Sequence, residues 1–196
     1  MATTSPTRPA GDSLPAQGER IEIRVGALTQ LFNSIDPSPF RKKDLDPNAE
    51  EFIVGWAREA RDGPLALLVY VDRPGGPEDA DNLREAVHEF FRQRARVTRQ
   101  KLRQLFRVGR TSLAIGLAFL AVSVGLGGAL EQVLAEQRFG GILREGLIIG
   151  GWVAMWRPLE TFLYDWWPIR AEARLYDRLS EMPVEIAAAH SRPPPT

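Results

Sequence analysis

Residues 112–130 read SLAIGLAFLAVSVGLGGAL and contain no charged side chain. With Thr111 the stretch has 20 residues, and an α-helix of that length covers about 30 Å, the hydrocarbon thickness of a bilayer. A helix buried in a soluble protein seldom runs this far without a polar face. The stretch therefore predicts a first transmembrane helix over residues 111–130.

A second apolar stretch occupies residues 142–167, although only residues 146–156 of it are free of charge. Its far end carries Trp156, Tyr164, Trp166 and Trp167, residue types that favour the bilayer interface. We expect a second transmembrane helix here, joined to the first by an external loop over residues 131–141. A helix lying in the interface is the alternative.

Charge is segregated along the chain and predicts the orientation. Residues 1–91 hold 10 basic and 16 acidic side chains, whereas residues 92–196 hold 15 and 9. Residues 92–110 carry eight basic side chains and no acidic one. Because basic flanks stay in the cytoplasm, we expect a multi-pass protein of the inner membrane with both termini cytoplasmic.

The basic segment, residues 92–110, also suggests a ligand. Six arginines gather on one side of a helix at 100° per residue: Arg92, Arg96, Arg99, Arg103, Arg107 and Arg110. Directly beside a predicted span, such a stripe is expected to contact anionic lipid headgroups. A nucleic-acid partner is not expected, since no aromatic platform accompanies the arginines.

Residues 20–91 predict a small cytoplasmic α/β domain. Ile21, Ile23 and Val25 alternate with charged residues, as in a strand with one buried face. Asp46-Pro47 opens a helix whose apolar residues recur at helical spacing. The apolar run Leu65–Val71 follows as a buried strand and completes a βαβ unit. Residues 183–187 are a candidate third strand.

A long helix connects this domain to the membrane. It starts near Glu78 or Asp79 and meets no breaker before the far side of the bilayer, so we expect more than 50 residues. We expect its apolar stripe to pair in an antiparallel stalk with a return helix in residues 168–188. The stripe comprises Leu83, Val87, Phe90, Val97, Leu105 and Val108, and its expected partners are Ile169, Leu175, Tyr176, Leu179 and Met182.

These patterns predict an α+β membrane protein, a βαβ-type domain joined by a helical stalk to a two-helix transmembrane hairpin. Residues 1–19 and 189–196, rich in small and proline residues, are predicted to be disordered tails.

Few residues suggest catalysis. The chain has no cysteine and two histidines, which excludes disulfides, thiolate nucleophiles and zinc–thiolate clusters. Glu85 and His88 have the spacing of di-iron ligands, but the further Glu-x-x-His that such a site needs is missing. We therefore expect no catalytic residue, metal or cofactor.

Three ionisable residues of the second stretch, Arg157, Glu160 and Asp165, are the candidate functional residues, because such groups are costly at membrane depth. They predict either an ion or proton pathway through oligomerised hairpins or a cytoplasmic interface where Arg157 snorkels to the headgroups. Gly146 and Gly150 form a GxxxG motif, and Gly125 lies in a small-residue stripe of the first span. These glycines predict helix packing within the chain or self-association.

Three segments carry a resemblance: DPSPF at residues 36–40, DLDPNAEEFI at residues 44–53 and WRPLETFLYDWWP at residues 156–168. They resemble segments of a family of bacterial two-span inner-membrane proteins with no assigned activity. The resemblance implies a location and no chemistry. The expected function is a non-catalytic anchor or accessory subunit that presents its cytoplasmic domain to a partner, and the alternative is the ion or proton pathway.

Overall fold

The computed structural model describes residues 10–11, 19–39, 43–60, 63–72, 77–133 and 139–189. The chain divides into two compact units. Unit 1 comprises residues 1–96 and 173–196, and unit 2 comprises residues 97–172. Most of both predicted tails and the centre of the predicted external loop lie outside the described residues.

The described elements are mostly helical. The strands are β1 (Ala10–Gly11), β2 (Glu19–Val25), β3 (Leu65–Val71) and β4 (Val184–Ala188). The helices are α1 (Pro47–Glu59), α2 (Pro77–Val133), α3 (Phe139–Glu160) and α4 (Trp166–Glu181), with a 3₁₀ turn at Leu28–Leu31 and a π-helix at Thr161–Asp165. The prediction of a helix longer than 50 residues is confirmed, since α2 has 57.

The sheet of unit 1 has the order β1-β4-β3-β2. Strands β2 and β3 are parallel, as are β3 and β4, and the two-residue β1 pairs antiparallel with β4. The predicted βαβ unit and the candidate third strand are therefore confirmed. Central β3 is buried at every position, as expected for a strand covered on both faces.

Helix α1 begins where the sequence predicts. The Asp46 side chain accepts a hydrogen bond from the Asn48 backbone N–H at 2.9 Å, and Pro47 occupies the first helical position. The helix buries Ile53, Val54 and Ala57 and ends at Glu59. Its cap and its apolar face thus fix both the start of the helix and its rotation.

The core of unit 1 is formed by one face of the sheet and by helices α1, α2 and α4. Phe91 of α2 lies at its centre, fully buried, stacked on Tyr176 of α4 with ring centroids 6.2 Å apart. Leu83, Val87 and Phe90 join it from α2, Leu175 and Leu179 join it from α4, and Met182 joins it from the residue after α4. The predicted stripe is wrong at two positions, because Val97 and Val108 are 40% and 56% exposed.

The turn before α1 is closed by one carboxylate. Asp36 Oδ1 accepts from the Ser38 N–H at 2.9 Å, and Asp36 Oδ2 accepts from the Asp44 N–H at 2.8 Å. These hydrogen bonds to the charged form lower the pKa of Asp36, the bond from Asp44 most. The carboxylate therefore holds the two ends of the 36–44 loop together.

Replacing Phe91 should test this core. Phe91→Ala removes a fully buried ring and is expected to lower the free energy of unfolding by about 3–5 kcal/mol. The matched control is Phe52→Ala, whose ring is 44% exposed and whose loss should cost about 1 kcal/mol. Urea unfolding of the full-length protein in micelles measures both, and equal losses would contradict the assignment.

Candidate functional site

Among the described helices, α2 is the one long and apolar enough to cross a membrane. Its most apolar 18-residue window is only 17% buried. A core helix of a soluble protein would have most of that window covered. The low burial therefore separates this helix from an ordinary core helix.

The uncovered side chains of this stretch are large and apolar. Six of them are at least half exposed: Ile115, Leu117, Phe119, Val122, Val124 and Leu126. At 100° per residue, Leu117 and Val124 lie nearly opposite the other four. Helix α3 is similar, with Ile149, Trp152, Val153 and Trp156 exposed. Unit 2 thus presents apolar surface in several directions, which water disfavours and lipid accommodates.

Helices α2 and α3 pack antiparallel through glycines. A Cβ built on Gly109 would lie 3.0 Å from Thr161 Cγ2, and one on Gly116 would lie 3.1 Å from Met155 Sδ. Further along, Gly151 meets Leu120, and Gly127 meets Arg144. Residue numbers rise on α2 as they fall on its neighbour. The register therefore brings residues 109–127 of α2 beside residues 161–144.

The contact line on α2 has a seven-residue period. Gly109, Gly116 and Ser123 follow at that interval and are all buried. A seven-residue repeat keeps one seam facing a neighbouring helix, and small side chains let the two backbones approach closely. The same seam is visible in the sequence as small residues spaced by seven.

The glycines predicted to pack lie elsewhere. No described heavy atom comes within 4 Å of a Cβ built on Gly125, Gly146 or Gly150. The packing of α2 on α3 instead runs through Gly116, Gly127 and Gly151, and Gly109 packs on the π-helix that follows α3. These positions fall on the seam, and the predicted ones are rotated away from it. Self-association through Gly125, Gly146 and Gly150 stays a prediction.

Pro158 adds a polar constraint to this contact. Proline has no N–H, so the carbonyl of Ala154, four residues earlier, lacks its usual helical donor. That oxygen lies 3.4 Å from a Cβ built on Gly116. The glycine backbone is therefore next to a carbonyl that its own helix leaves without a donor, and a Cα–H group at this position can contact it.

The three predicted ionisable residues lie together at one end of the contact. Arg157 Nη1 donates to Glu160 Oε2 at 3.2 Å, with the Arg157 side chain 78% exposed. Thr161 lies next to Gly109 of α2. The Arg157–Glu160 pair is therefore level with the end of the basic segment of α2 and not with the middle of its charge-free stretch. At the opposite end, Arg144 is level with Gly127.

A π-helix follows immediately. The Thr161 hydroxyl, buried, lies 3.3 Å from the Arg157 carbonyl oxygen and 3.1 Å from Asp165 Oδ2, and it can donate to one of them at a time. π-Helical turns are rare and occur frequently at functional sites. Sequence patterns do not reveal this turn, although Pro158 marks its neighbourhood.

Aromatic rings surround the same end of unit 2. Phe106 of α2 lies 6.1 Å from Phe162 and 6.5 Å from Trp166, centroid to centroid. The Trp166 indole N–H donates to the Phe162 carbonyl at 2.9 Å, and Arg170 lies over the Trp166 ring. Aromatic rings with adjacent cations are typical of a membrane–water interface.

All six arginines of the predicted lipid-contact stripe are exposed. Glu89 pairs with Arg92 at 3.8 Å and also with Arg96. Arg99, Arg103, Arg107 and Arg110 follow within unit 2. The stripe thus begins among carboxylates of unit 1 and continues toward the apolar stretch.

The histidine of the Glu85–His88 pair has a structural role. His88 Nε2 donates to the Met182 carbonyl at 2.8 Å, which ties α2 to the connection before β4. Within the described residues, no group of three or more histidine, cysteine or carboxylate side chains could hold a metal ion.

One carboxyl group of unit 1, Glu185, is buried, and burial raises its pKa although Arg20 opposes the shift.

None of the family models, curated proteins or solved structures compared with the chain matches it. The resemblance to two-span inner-membrane proteins therefore stays a prediction.

The seam between α2 and α3 can be tested with two equivalent substitutions. Gly116→Leu places a side chain against Met155 and Ala154, whereas Gly125→Leu has open space among the described atoms. Both gain the same helix propensity, so the difference isolates packing. We expect Gly116→Leu to be less stable by about 1–3 kcal/mol, measured by thermal unfolding in micelles. Equal stability of the two variants would contradict the seam.

Proposed function

We propose that the protein is a two-span integral protein of a bacterial inner membrane that anchors unit 1 at the cytoplasmic face and presents it to a protein partner. In this proposal it catalyses no reaction of its own. The observation that carries it is the apolar surface of α2, where six large side chains within residues 115–126 are at least half exposed. Lipid is the solvent in which such a surface is stable.

The register of α2 and α3 supports the second span. Arg157 and Glu160 lie level with the start of the charge-free stretch of α2, and Arg144 lies near its end. If α2 crosses the bilayer, the charges of α3 then fall toward the two surfaces, where long side chains reach the headgroups. If α3 instead lay flat in the interface, its charged residues would not need to be level with the two ends of the charge-free stretch of α2.

The basic segment supports the orientation. Exposed arginines precede the apolar stretch on α2, and anionic headgroups of the cytoplasmic leaflet attract such residues by about 1 kcal/mol each. Arg170 beside Trp166 places a further cation after α3. Both features favour a cytoplasmic location for the two chain ends.

The topology can be tested by thiol labelling, because the chain has no cysteine of its own. Single cysteines at Ser38, Gly141 and Glu181, all exposed positions, report on unit 1, the first turn of α3 and the end of α4. With a membrane-impermeant reagent on intact spheroplasts, we expect labelling at position 141 only, and labelling at all three positions after lysis.

Two outcomes would contradict the proposal. Protection of position 141 together with 38 and 181 would mean that α2 does not cross the membrane. Labelling of 181 together with 141 would mean that α3 does not return the chain to the cytoplasm.

The alternative, an oligomeric ion or proton pathway, is favoured by one feature, the π-helix with the Thr161–Asp165 pair. Thr161 lies beside Gly109, next to the basic segment of α2, which supports a location of the Thr161–Asp165 pair at the membrane–water interface instead. Proton flux into liposomes that contain the purified protein separates the two functions. The anchor proposal predicts no flux above protein-free liposomes, whereas flux abolished by Asp165→Asn and retained by Asp177→Asn would establish the pathway.

A further inference from the structure

The outward face of α1 carries an aromatic pair that the core does not use. Phe52 and Trp56 are 44% and 51% exposed, and their ring centroids are 6.3 Å apart with the planes tilted by 51°. The helix already buries Ile53, Val54 and Ala57 on its other side. The two rings are therefore additional to what holds α1 on the sheet.

These rings line a shallow groove, which we call the α1 groove, bounded by Asn48, Glu51, Phe52, Gly55, Trp56 and Glu59. Gly55 is one of the lining residues, and apart from its two chain neighbours and the backbone of its own helix no described heavy atom lies within 4 Å of a Cβ built there. A glycine in the middle of an exposed helix lowers its stability by about 1 kcal/mol relative to alanine. The missing side chain leaves space for an apolar side chain of another molecule beside the two rings.

The charge around the groove restricts what can enter it. Glu51 and Glu59 are both exposed, and within the described residues no ion pair is formed by either. On the adjacent side of the same helix, Glu50 pairs with Arg94 of α2. An α1 carboxylate thus already binds an arginine within unit 1, and the two carboxylates of the groove offer the same chemistry to a partner.

We propose that the α1 groove is the docking surface of unit 1 and that it binds a basic amphipathic helix of a partner protein. An apolar side chain of that helix occupies the space above Gly55, beside Phe52 and Trp56. Glu51 and Glu59 are eight residues apart, about 12 Å along α1. They therefore select arginines or lysines seven to eight residues apart, and an arginine over Trp56 adds a cation–π contact.

Two other occupants fit the charge less well. A symmetric contact between two copies would place the carboxylates of one α1 against those of the other, because each patch meets itself. An anionic membrane surface would likewise be repelled by Glu51 and Glu59. The proposal rests on the proposed function only in that unit 1 faces a partner, and the experiment below does not depend on which way the chain crosses a membrane.

The test uses the full-length protein in nanodiscs of zwitterionic lipid and a fluorescein-labelled 18-residue helical peptide. The peptide has leucines on one face and arginines eight residues apart beside them, and fluorescence anisotropy reports its binding. A second peptide replaces each arginine by glutamate, and empty nanodiscs measure binding to lipid. We expect saturable binding of the basic peptide and at least tenfold weaker binding of the acidic one.

Variants then locate the binding surface. Glu51→Gln with Glu59→Gln, and separately Trp56→Ala, should each weaken binding at least tenfold. Gly55→Leu should block the groove to the same degree while leaving the thermal unfolding midpoint unchanged or higher, which separates lost binding from lost folding. The matched control, Glu78→Gln with Glu181→Gln, removes the same charge from exposed positions elsewhere in unit 1 and should change binding less than twofold.

Four results would overturn the proposal. Equal binding of the acidic peptide would remove the charge argument, and equal losses in the groove and control variants would indicate diffuse attraction to an acidic surface. A Trp56→Ala variant that changed only the oligomeric state in sedimentation would assign the groove to a second copy. A variant that changed only binding to anionic vesicles would assign it to lipid. Failure of the topology experiment would leave the peptide result unaffected.

Discussion

The exposure of large apolar side chains along the charge-free stretch of α2 is the constraint on which the rest of the structure depends. One continuous helix of 57 residues begins in the core of unit 1 and continues into a segment whose apolar side chains the protein itself leaves uncovered. In the core of unit 1, Phe91 of α2 packs on Tyr176. Along the charge-free stretch, α3 covers only part of the surface of α2, through a seam of small residues. The rest of this apolar surface stays exposed in the described structure, and it is the observation on which the proposed membrane location rests.

The seam accounts for the small residues that recur along α2 in unit 2. Gly109, Gly116 and Ser123 share one line on α2 at seven-residue intervals, and their small side chains let the neighbouring helix approach closely. Pro158 leaves the Ala154 carbonyl without a helical donor beside Gly116. At the end near Gly109, the Arg157–Glu160 pair and the π-helix lie among aromatic rings. Polar chemistry in unit 2 is thus concentrated at its ends.

Much of unit 1 could be predicted from local signals. Alternation at Ile21 and Ile23, the Asp46 cap and the apolar run of β3 each determine their own element, because the physical cause lies within a few residues. The sequence could also predict the length of α2, since no breaker interrupts it. These features need no knowledge of what packs against them.

Features set by packing between helices could not be predicted in the same way. The predicted stripe included Val97 and Val108, yet Phe91, Ala95 and Thr98 are buried instead, because a shift of one residue rotates a helix face by 100°. The GxxxG motif at Gly146 and Gly150 predicted a contact between glycines four residues apart, whereas the small residues of the observed seam are seven residues apart. Phe52 and Trp56 belong to an apolar stripe wider than the core can cover, and only the structure reveals which side stays exposed.

Measuring the depth of α2 residues in a bilayer tests directly whether the charge-free stretch lies in lipid. Single spin labels at residues 115, 117, 119, 122, 124 and 126 of the cysteine-free chain, reconstituted in bilayers, report their exposure to oxygen and to a water-soluble nickel chelate. If the stretch lies in lipid, the ratio of oxygen to nickel accessibility will be high at all six sites, greatest near residues 119–122 and lower toward both ends. Nickel accessibility comparable to that of a label at the exposed residue Ser38, with no gradient along the helix, would contradict it.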